Sequence, residues 1–365
     1  MKKLKVGIIG CGGIANQKHL PALKQSNDLA EIVAFCDIRI ERAEKAAKEY
    51  GVSKAKVYKD YHQLLEDRSI DVVHICTPNV LHAPMTVDAF EAGKNVLCEK
   101  PMSHSADEAQ KMIEAWKKSG KHFTIGYQNR FRKEIQLLHK ACREGELGDI
   151  YFAKAHALRR RAVPTWGVFQ DKAQQGGGPL IDIGTHALDI TLWMMDNYEP
   201  VSVMGSVFYK MSDKVEGNLF GPWDPSTFEV EDSAFGFIKM KNGATIFLEA
   251  SWVLNIIEER EAATTLCGTE AGAEIRGAMT ETPQLIFNKE YYGELAEIYP
   301  VSRRGGVAYF SGDTPQEPGV IEARQWLMSI INDTDALVKP QEAFIVTKIL
   351  DAIYKSADQD KQINL

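Results

Sequence analysis

Two glycines and an alanine near the start of the chain have the spacing of a phosphate cradle. Val6 to Ala15 reads Val-Gly-Ile-Ile-Gly-Cys-Gly-Gly-Ile-Ala, which sets Gly10, Gly12 and Ala15 in a G-x-G-x-x-A pattern at the end of an apolar run. In such a pattern the first glycine permits a tight turn, the second lets backbone approach a pyrophosphate, and the alanine lets helix pack closely on strand. The helix start that follows adds oriented N–H groups and a positive dipole end, so Gly10, Cys11, Gly12, Gly13 and Ile14 are the expected phosphate-side contacts. Asp37 closes the second predicted strand, where a carboxylate accepts from both ribose hydroxyls of NAD and repels a 2′-phosphate. NAD is therefore the preferred dinucleotide. NADP stays open, because Arg39 and Arg42 stand nearby and an arginine there accommodates that phosphate.

A second constellation lies further along. Asp182 and His186 are four residues apart on a predicted helix over about Pro179 to Met195, so they share a face and reach one substrate hydroxyl. Oxidising a secondary alcohol needs a base for the O–H proton as hydride leaves carbon, and histidine titrates near neutrality. The carboxylate either orients the substrate or stabilises the imidazolium, and Asp189 is a further candidate contact. The same spacing suits a metal, but no third ligand stands out and no C-x-x-C pair exists, so no metal is expected.

The elements that must position these groups follow from hydrophobic periodicity. From Leu4 to about Tyr127 short β-branched runs alternate with amphipathic stretches, the pattern of a parallel sheet covered by helices on both faces. Strands are predicted at Lys5–Ile9, Glu31–Cys36, Val57–Tyr58, Val72–Cys76, Asn95–Cys98 and Phe123–Gly126, in a doubly wound Rossmann order. Ser105 with Glu108 has capping-box spacing. After Tyr127 come a helix near Lys133–Arg143 and period-2 strands at Ile150–Leu158, Val201–Tyr209, Ser233–Met240, Ala244–Trp252 and Ala262–Cys267. Those runs predict an α+β domain with a large open, mainly antiparallel sheet. The expected domains are thus 1–127 for the dinucleotide and 128–365 for substrate and oligomerisation, with the last helices either closing the second domain or packing back on the first.

Bulk properties exclude other classes. The 365 residues carry a net charge of −7 with ordinary apolar and charged fractions, so no nucleic-acid partner is expected; Arg159-Arg160-Arg161 is too short to form a phosphate-binding face. There is no apolar run of membrane-spanning length and no leader pattern. The six scattered cysteines read as small core residues in a reducing compartment, which makes a cytoplasmic protein the expectation. An open antiparallel sheet needs a cover, so a homodimer or homotetramer through the second domain is expected.

Two further motifs carry a resemblance. Cys76-Thr77-Pro78-Asn79-Val80-Leu81-His82 and Ala92-Gly93-Lys94-Asn95-Val96-Leu97-Cys98-Glu99-Lys100-Pro101 resemble the glucose-fructose oxidoreductase and inositol dehydrogenase family, often written Gfo/Idh/MocA. The likeness continues through Gly126-Tyr127-Gln128-Asn129-Arg130-Phe131, Gly176 to Asp189 and the tail near Tyr354. It implies that Thr77, Pro78 and Asn79 meet the nicotinamide half of the cofactor, with His82, Glu99 and Gln128 nearby. It implies that Lys100 points into the cleft before a cis proline and hydrogen-bonds substrate and nicotinamide ribose, and that Trp166 walls the pocket. Arg159, with Arg160 and Arg161, is a candidate to meet either an acidic or phosphorylated substrate or a subunit interface. The implied activity is hydride transfer between a nicotinamide and a secondary carbon of a sugar, inositol or related polyol, through Lys100, Asp182 and His186. Two alternatives stay open within the resemblance: an NAD-dependent glycoside hydrolase, and a non-catalytic NAD-binding regulator. The intact catalytic trio argues against the second.

Overall fold

The computed structural model describes residues 3–277, 283–300 and 317–365. The chain divides into two compact units, Met1–Phe131 with Gln316–Thr347, and Arg132–Pro315 with Lys348–Leu365.

The first unit is built on six parallel strands, β1 (Leu4–Ile9), β2 (Ala30–Cys36), β3 (Lys56–Tyr58), β4 (Val72–Ile75), β5 (Asn95–Cys98) and β6 (Phe123–Ile125), in the order β3-β2-β1-β4-β5-β6. That is the doubly wound order, with its reversal between β1 and β4. Helices α1 (Leu20–Gln25), α2 (Ile40–Tyr50), α3 (Tyr61–Leu65), α4 (His82–Glu91) and α5 (Ala106–Ser119) provide the connections. The strands are apolar on both faces, as burial between helix layers requires: Val6, Ile8, Phe35, Val72 and Leu97 are fully buried. Ser105 caps α5 by accepting from the Glu108 N–H at 3.3 Å.

The Pro318–Asn332 helix belongs to this unit, outside the boundary expected at residue 127. It inserts Trp326 and Leu327 into the core formed by Val6, Leu20 and Leu23. Burying two side chains of that size contributes about 2 kcal/mol each, enough to hold a segment so distant in sequence.

In the second unit α6 (Lys133–Arg143) precedes β7 (Ile150–Leu158), followed by α7 (Lys172–Gln175), α8 (Thr185–Met195) and the strands β8 (Pro200–Phe208), β9 (Ser233–Met240), β10 (Thr245–Ser251), β11 (Arg260–Gly268), β12 (Gly272–Arg276), β13 (Gln284–Tyr291), β14 (Glu294–Ile298) and β15 (Ile363–Asn364). They form one sheet in the order β14-β13-β12-β11-β7-β10-β9-β8-β15, antiparallel except where β10 runs parallel to β7. Four strands, β12 to β15, lie beyond those the alternation pattern predicts. β14 exposes four of its five residues, so its sequence carries no buried face to read.

One face of this sheet is packed. Ala153, Ala155, Ala157, Ile246, Leu248, Ala250 and Ile238 are buried there, beneath the segment that continues into α8. That segment is not one regular α-helix. Its first turn, Leu180–Gly184, is π-helical before α8 begins at Thr185, and all ten residues from Thr185 to Met194 are buried. A second π turn, Ala15–His19, follows the glycine motif in the first unit. Such turns are rare and recur at functional sites.

Candidate functional site

The carboxyl ends of β1, β2, β4 and β5 bring the first group of residues to one sheet edge. Gly10 has φ +91°, and a Cβ there would lie 2.6 Å from the Cys76 carbonyl oxygen, so only glycine fits where the two strand ends approach. A Cβ at Gly12 or Gly13 would meet nothing, which leaves open space in front of the turn for a pyrophosphate. Asp37 is buried and braces the turn: Oδ2 accepts from the Cys11 N–H at 2.9 Å and Oδ1 from the Arg39 N–H at 2.8 Å. Arg42 is exposed on α2. The buried Oε1 of Gln128 has no hydrogen-bond partner among the described residues, which suits it to a donor on a bound ligand. An open glycine turn, a strand-end carboxylate and an orphaned amide oxygen fit a dinucleotide, whose pyrophosphate would lie at Gly12 to Ile14 and ribose near Asp37.

His82 and Glu99 hold the edge together through bonds to neighbouring loops and side chains. His82 is fully buried, with Nδ1 2.8 Å from the Pro101 carbonyl oxygen and Nε2 2.9 Å from that of Thr77, so its ring ties the two loops. Burial pushes its pKa down against the pull of those carbonyls. Asn79 is buried at the start of the turn that leads into α4. The Lys100–Pro101 bond is cis.

Behind Lys100 lies a cluster that the motifs did not reveal. Glu99 Oε1 accepts from Lys18 Nζ at 2.5 Å and from His19 Nε2 at 2.7 Å, while Oε2 accepts from the Lys100 N–H at 3.1 Å. Lys18 Nζ also reaches Glu322 Oε2 at 3.0 Å. Burial raises the Glu99 carboxyl, but Lys18 and His19 outweigh it and hold its pKa well below the ordinary value. Burial and Lys18 push His19 down despite Glu99. A carboxylate only accepts, so His19 Nε2 carries the proton and Nδ1 of the neutral ring is bare. The 3.0 Å contact between the two Nδ1 atoms then requires His74 to donate from Nδ1.

The second unit supplies the other group. Asp182 lies in the π turn and accepts at Oδ2 from the Trp252 indole N–H at 3.1 Å; His186 lies four residues on, in the first turn of α8, and is buried. Asp189 is fully buried. Before the turn, Gly178 packs so tightly that a Cβ would lie 2.2 Å from the Glu231 carbonyl oxygen. The Glu231 carboxylate, also buried, accepts from the Gly178 N–H at 2.8 Å, the Leu180 N–H at 3.2 Å and the Tyr354 hydroxyl at 2.8 Å. These bonds anchor the start of the helix that carries Asp182 and His186.

Arg159 is paired within its own unit. Its guanidinium is committed to Glu261 through two bonds of 2.7 and 2.6 Å and to the Ala162 carbonyl at 3.1 Å. Trp166 is 51% exposed, its ring against the edges of Phe220 and Phe169 beside a cleft of about 380 Å³.

Comparison with known proteins agrees with the fold. Residues 4–127 match the family described as an oxidoreductase family with NAD-binding Rossmann fold, and residues 135–274 match the GFO/IDH/MocA C-terminal domain. The chain is 41% identical over 272 residues to D-glucoside 3-dehydrogenase of Escherichia coli (strain K12), covering 74% of this chain and 77% of that protein. It is 34% identical over 202 residues to inositol 2-dehydrogenase of Salmonella typhimurium (strain LT2), covering 55% and 57%. A levoglucosan dehydrogenase in complex with NADH and L-sorbose has the same fold, with a TM-score of 0.83 at 23% identity over 100% of this chain and 99% of that one. The two matched domains span more than half of the chain, which belongs to the GFO/IDH/MocA oxidoreductases, a family of NAD-dependent sugar and polyol dehydrogenases.

Proposed function

We propose that this protein oxidises a secondary alcohol of a glycoside or closely related pyranoside, with NAD as hydride acceptor, through Lys100, Asp182 and His186. The observation that carries this reading is the placement of Asp182 in a π turn four residues before the buried His186, with the carboxylate held by the Trp252 indole. In this reading His186 takes the hydroxyl proton, Asp182 orients the hydroxyl, and Lys100 polarises the substrate oxygen. When bound, NAD supplies the hydride-accepting carbon. Residues 1–127 hold the dinucleotide and residues 128–365 supply the substrate groups. The glycoside preference draws on the glucoside dehydrogenase, the nearest in sequence of the relatives named above.

The other face of the second-unit sheet is half apolar. Met204, Phe237 and Phe247 sit in one cross-strand row, 53%, 37% and 40% exposed. A second copy of the chain covering that row gives the homodimer or homotetramer in this reading. Among the described residues no helix is long and apolar enough to cross a bilayer.

The test is NADH formation by purified protein over a panel of glucosides, free sugars, inositols and sugar acids, with the oxidised carbon identified in the product. Turnover of glucosides ahead of inositols supports the reading. NADH formed only with inositols moves the substrate class to cyclitols, and no NADH formed on any of them contradicts it.

A further inference from the structure

We propose that Glu99 is a positioning residue for Lys100, and that Lys18 and His19, backed by Glu322 and His74, exist to fix it. The inference rests on the catalytic reading of Lys100.

The geometry is specific. A carboxylate offers two acceptor oxygens, and both of Glu99 are engaged by donors: Oε1 by Lys18 and His19, and Oε2 by the backbone N–H of Lys100. Rotation of the carboxylate breaks at least one of these bonds in a site closed to water. The residue after Lys100 is held as well, because the Pro101 carbonyl meets His82 Nδ1 at 2.8 Å. Lys100 is thus gripped at its own N–H and at the next residue's carbonyl, and its side chain starts from a fixed backbone.

The surrounding chain makes room for the cluster. A Cβ at Gly126 would lie 2.8 Å from Glu99 Oε1 and 3.1 Å from Lys18 Nζ. Lys18 and His19 come from the π turn after the dinucleotide loop, His74 from β4 and Glu322 from the Pro318–Asn332 helix. Three elements therefore spend ionisable side chains on the residue before Lys100. Burying such charges costs more than filling the space with apolar groups of the same volume, so stability alone is a weak reason for them. Aiming a reacting group is a stronger one, since misplacement by about 1 Å costs on the order of 100-fold in rate.

The experiment compares full-length wild type with Lys100→Ala, Glu99→Gln, His19→Leu and His19→Gln, reading kcat on the best substrate and NADH affinity by fluorescence. Glutamine at 99 brings an amide N–H where three donors already point, so one of the three bonds is lost. The expected result is a fall in kcat of about 10- to 100-fold with NADH affinity within about threefold of wild type. His19→Gln, which keeps an N–H toward Glu99, is expected to recover most of what His19→Leu loses. A kcat for Glu99→Gln within about twofold of wild type overturns the inference. Equal losses in kcat and NADH affinity also overturn it, as does a His19→Gln no better than His19→Leu, which carries the test if Glu99→Gln does not fold. If Lys100→Ala itself leaves kcat intact, the catalytic reading of Lys100 fails, and that outcome is distinct from loss of the positioning role alone.

Discussion

The indole N–H of Trp252 donates to Oδ2 of Asp182 across 3.1 Å, joining residues 70 apart in sequence. Trp252 is fully buried, between the ring edges of Phe169 and Phe228, so the donor cannot swing away. A carboxylate held by a neutral donor keeps its charge for the groups around it, which is what orienting a substrate hydroxyl requires.

Replacing that donor while keeping an aromatic ring isolates its contribution. Trp252→Phe is expected to lower kcat/KM by about 5- to 30-fold, the equivalent of about 1–2 kcal/mol for one hydrogen bond to a charged group. Steady-state kinetics beside a denaturation curve separate this effect from any loss of packing.

The two glycines of the dinucleotide turn are predicted to fail differently. Gly10→Ala forces a Cβ to within 2.6 Å of the Cys76 carbonyl at φ +91° and should destabilise the fold by about 1–3 kcal/mol. Gly12→Ala meets no protein atom, so its stability stays near wild type while NADH affinity falls by about tenfold or more. Urea denaturation and fluorescence titration check both.

Cofactor preference depends on Asp37. Asp37→Ser removes the charge that repels a 2′-phosphate and leaves the exposed Arg42 to receive it. The ratio of kcat/KM for NADP over NAD should rise by about tenfold or more, with part of the gain offset by the lost brace to Cys11.

Stability should record the crowding of carboxylates around Lys18. Burial, with a further push from Glu99, raises Glu322 to about 6 against the pull of Lys18. A carboxyl with a raised folded-state pKa contributes stability that is complete below its unfolded value and is lost as pH rises through about 6. Glutamine mimics the protonated form. Glu322→Gln should therefore exceed wild type in stability by on the order of 2 kcal/mol at about pH 7.5, and the difference should vanish by about pH 4.5. Chemical denaturation at a series of pH values measures it; a constant difference across the series counts against the assignment.

Much of the first unit was legible because its signals are local. Gly10 and Gly12 specify a turn, Asp37 a strand end, and the β-branched runs a parallel sheet whose order follows from short right-handed crossovers. What stayed hidden depends on distance or on backbone winding. Nothing near Lys18 points to Glu322, about three hundred residues later, and nothing near Asp182 points to Trp252. A π turn changes one hydrogen-bond step without altering residue types, so hydrophobic periodicity reads Leu180–Gly184 as ordinary helix. The partner of Arg159 was hidden for a related reason: a charged residue in sequence shows its sign, but not that Glu261 accepts from it.

In the proposed reaction His186 serves as the base of an NAD-linked oxidation. The most direct measurement is the pH dependence of kcat/KM for wild type and His186→Asn on the best substrate. With His186 as the base, the variant should lose about 100- to 10,000-fold, together with the ascending limb that reports deprotonation of a base. A variant that keeps its rate within about tenfold and retains that limb would contradict it.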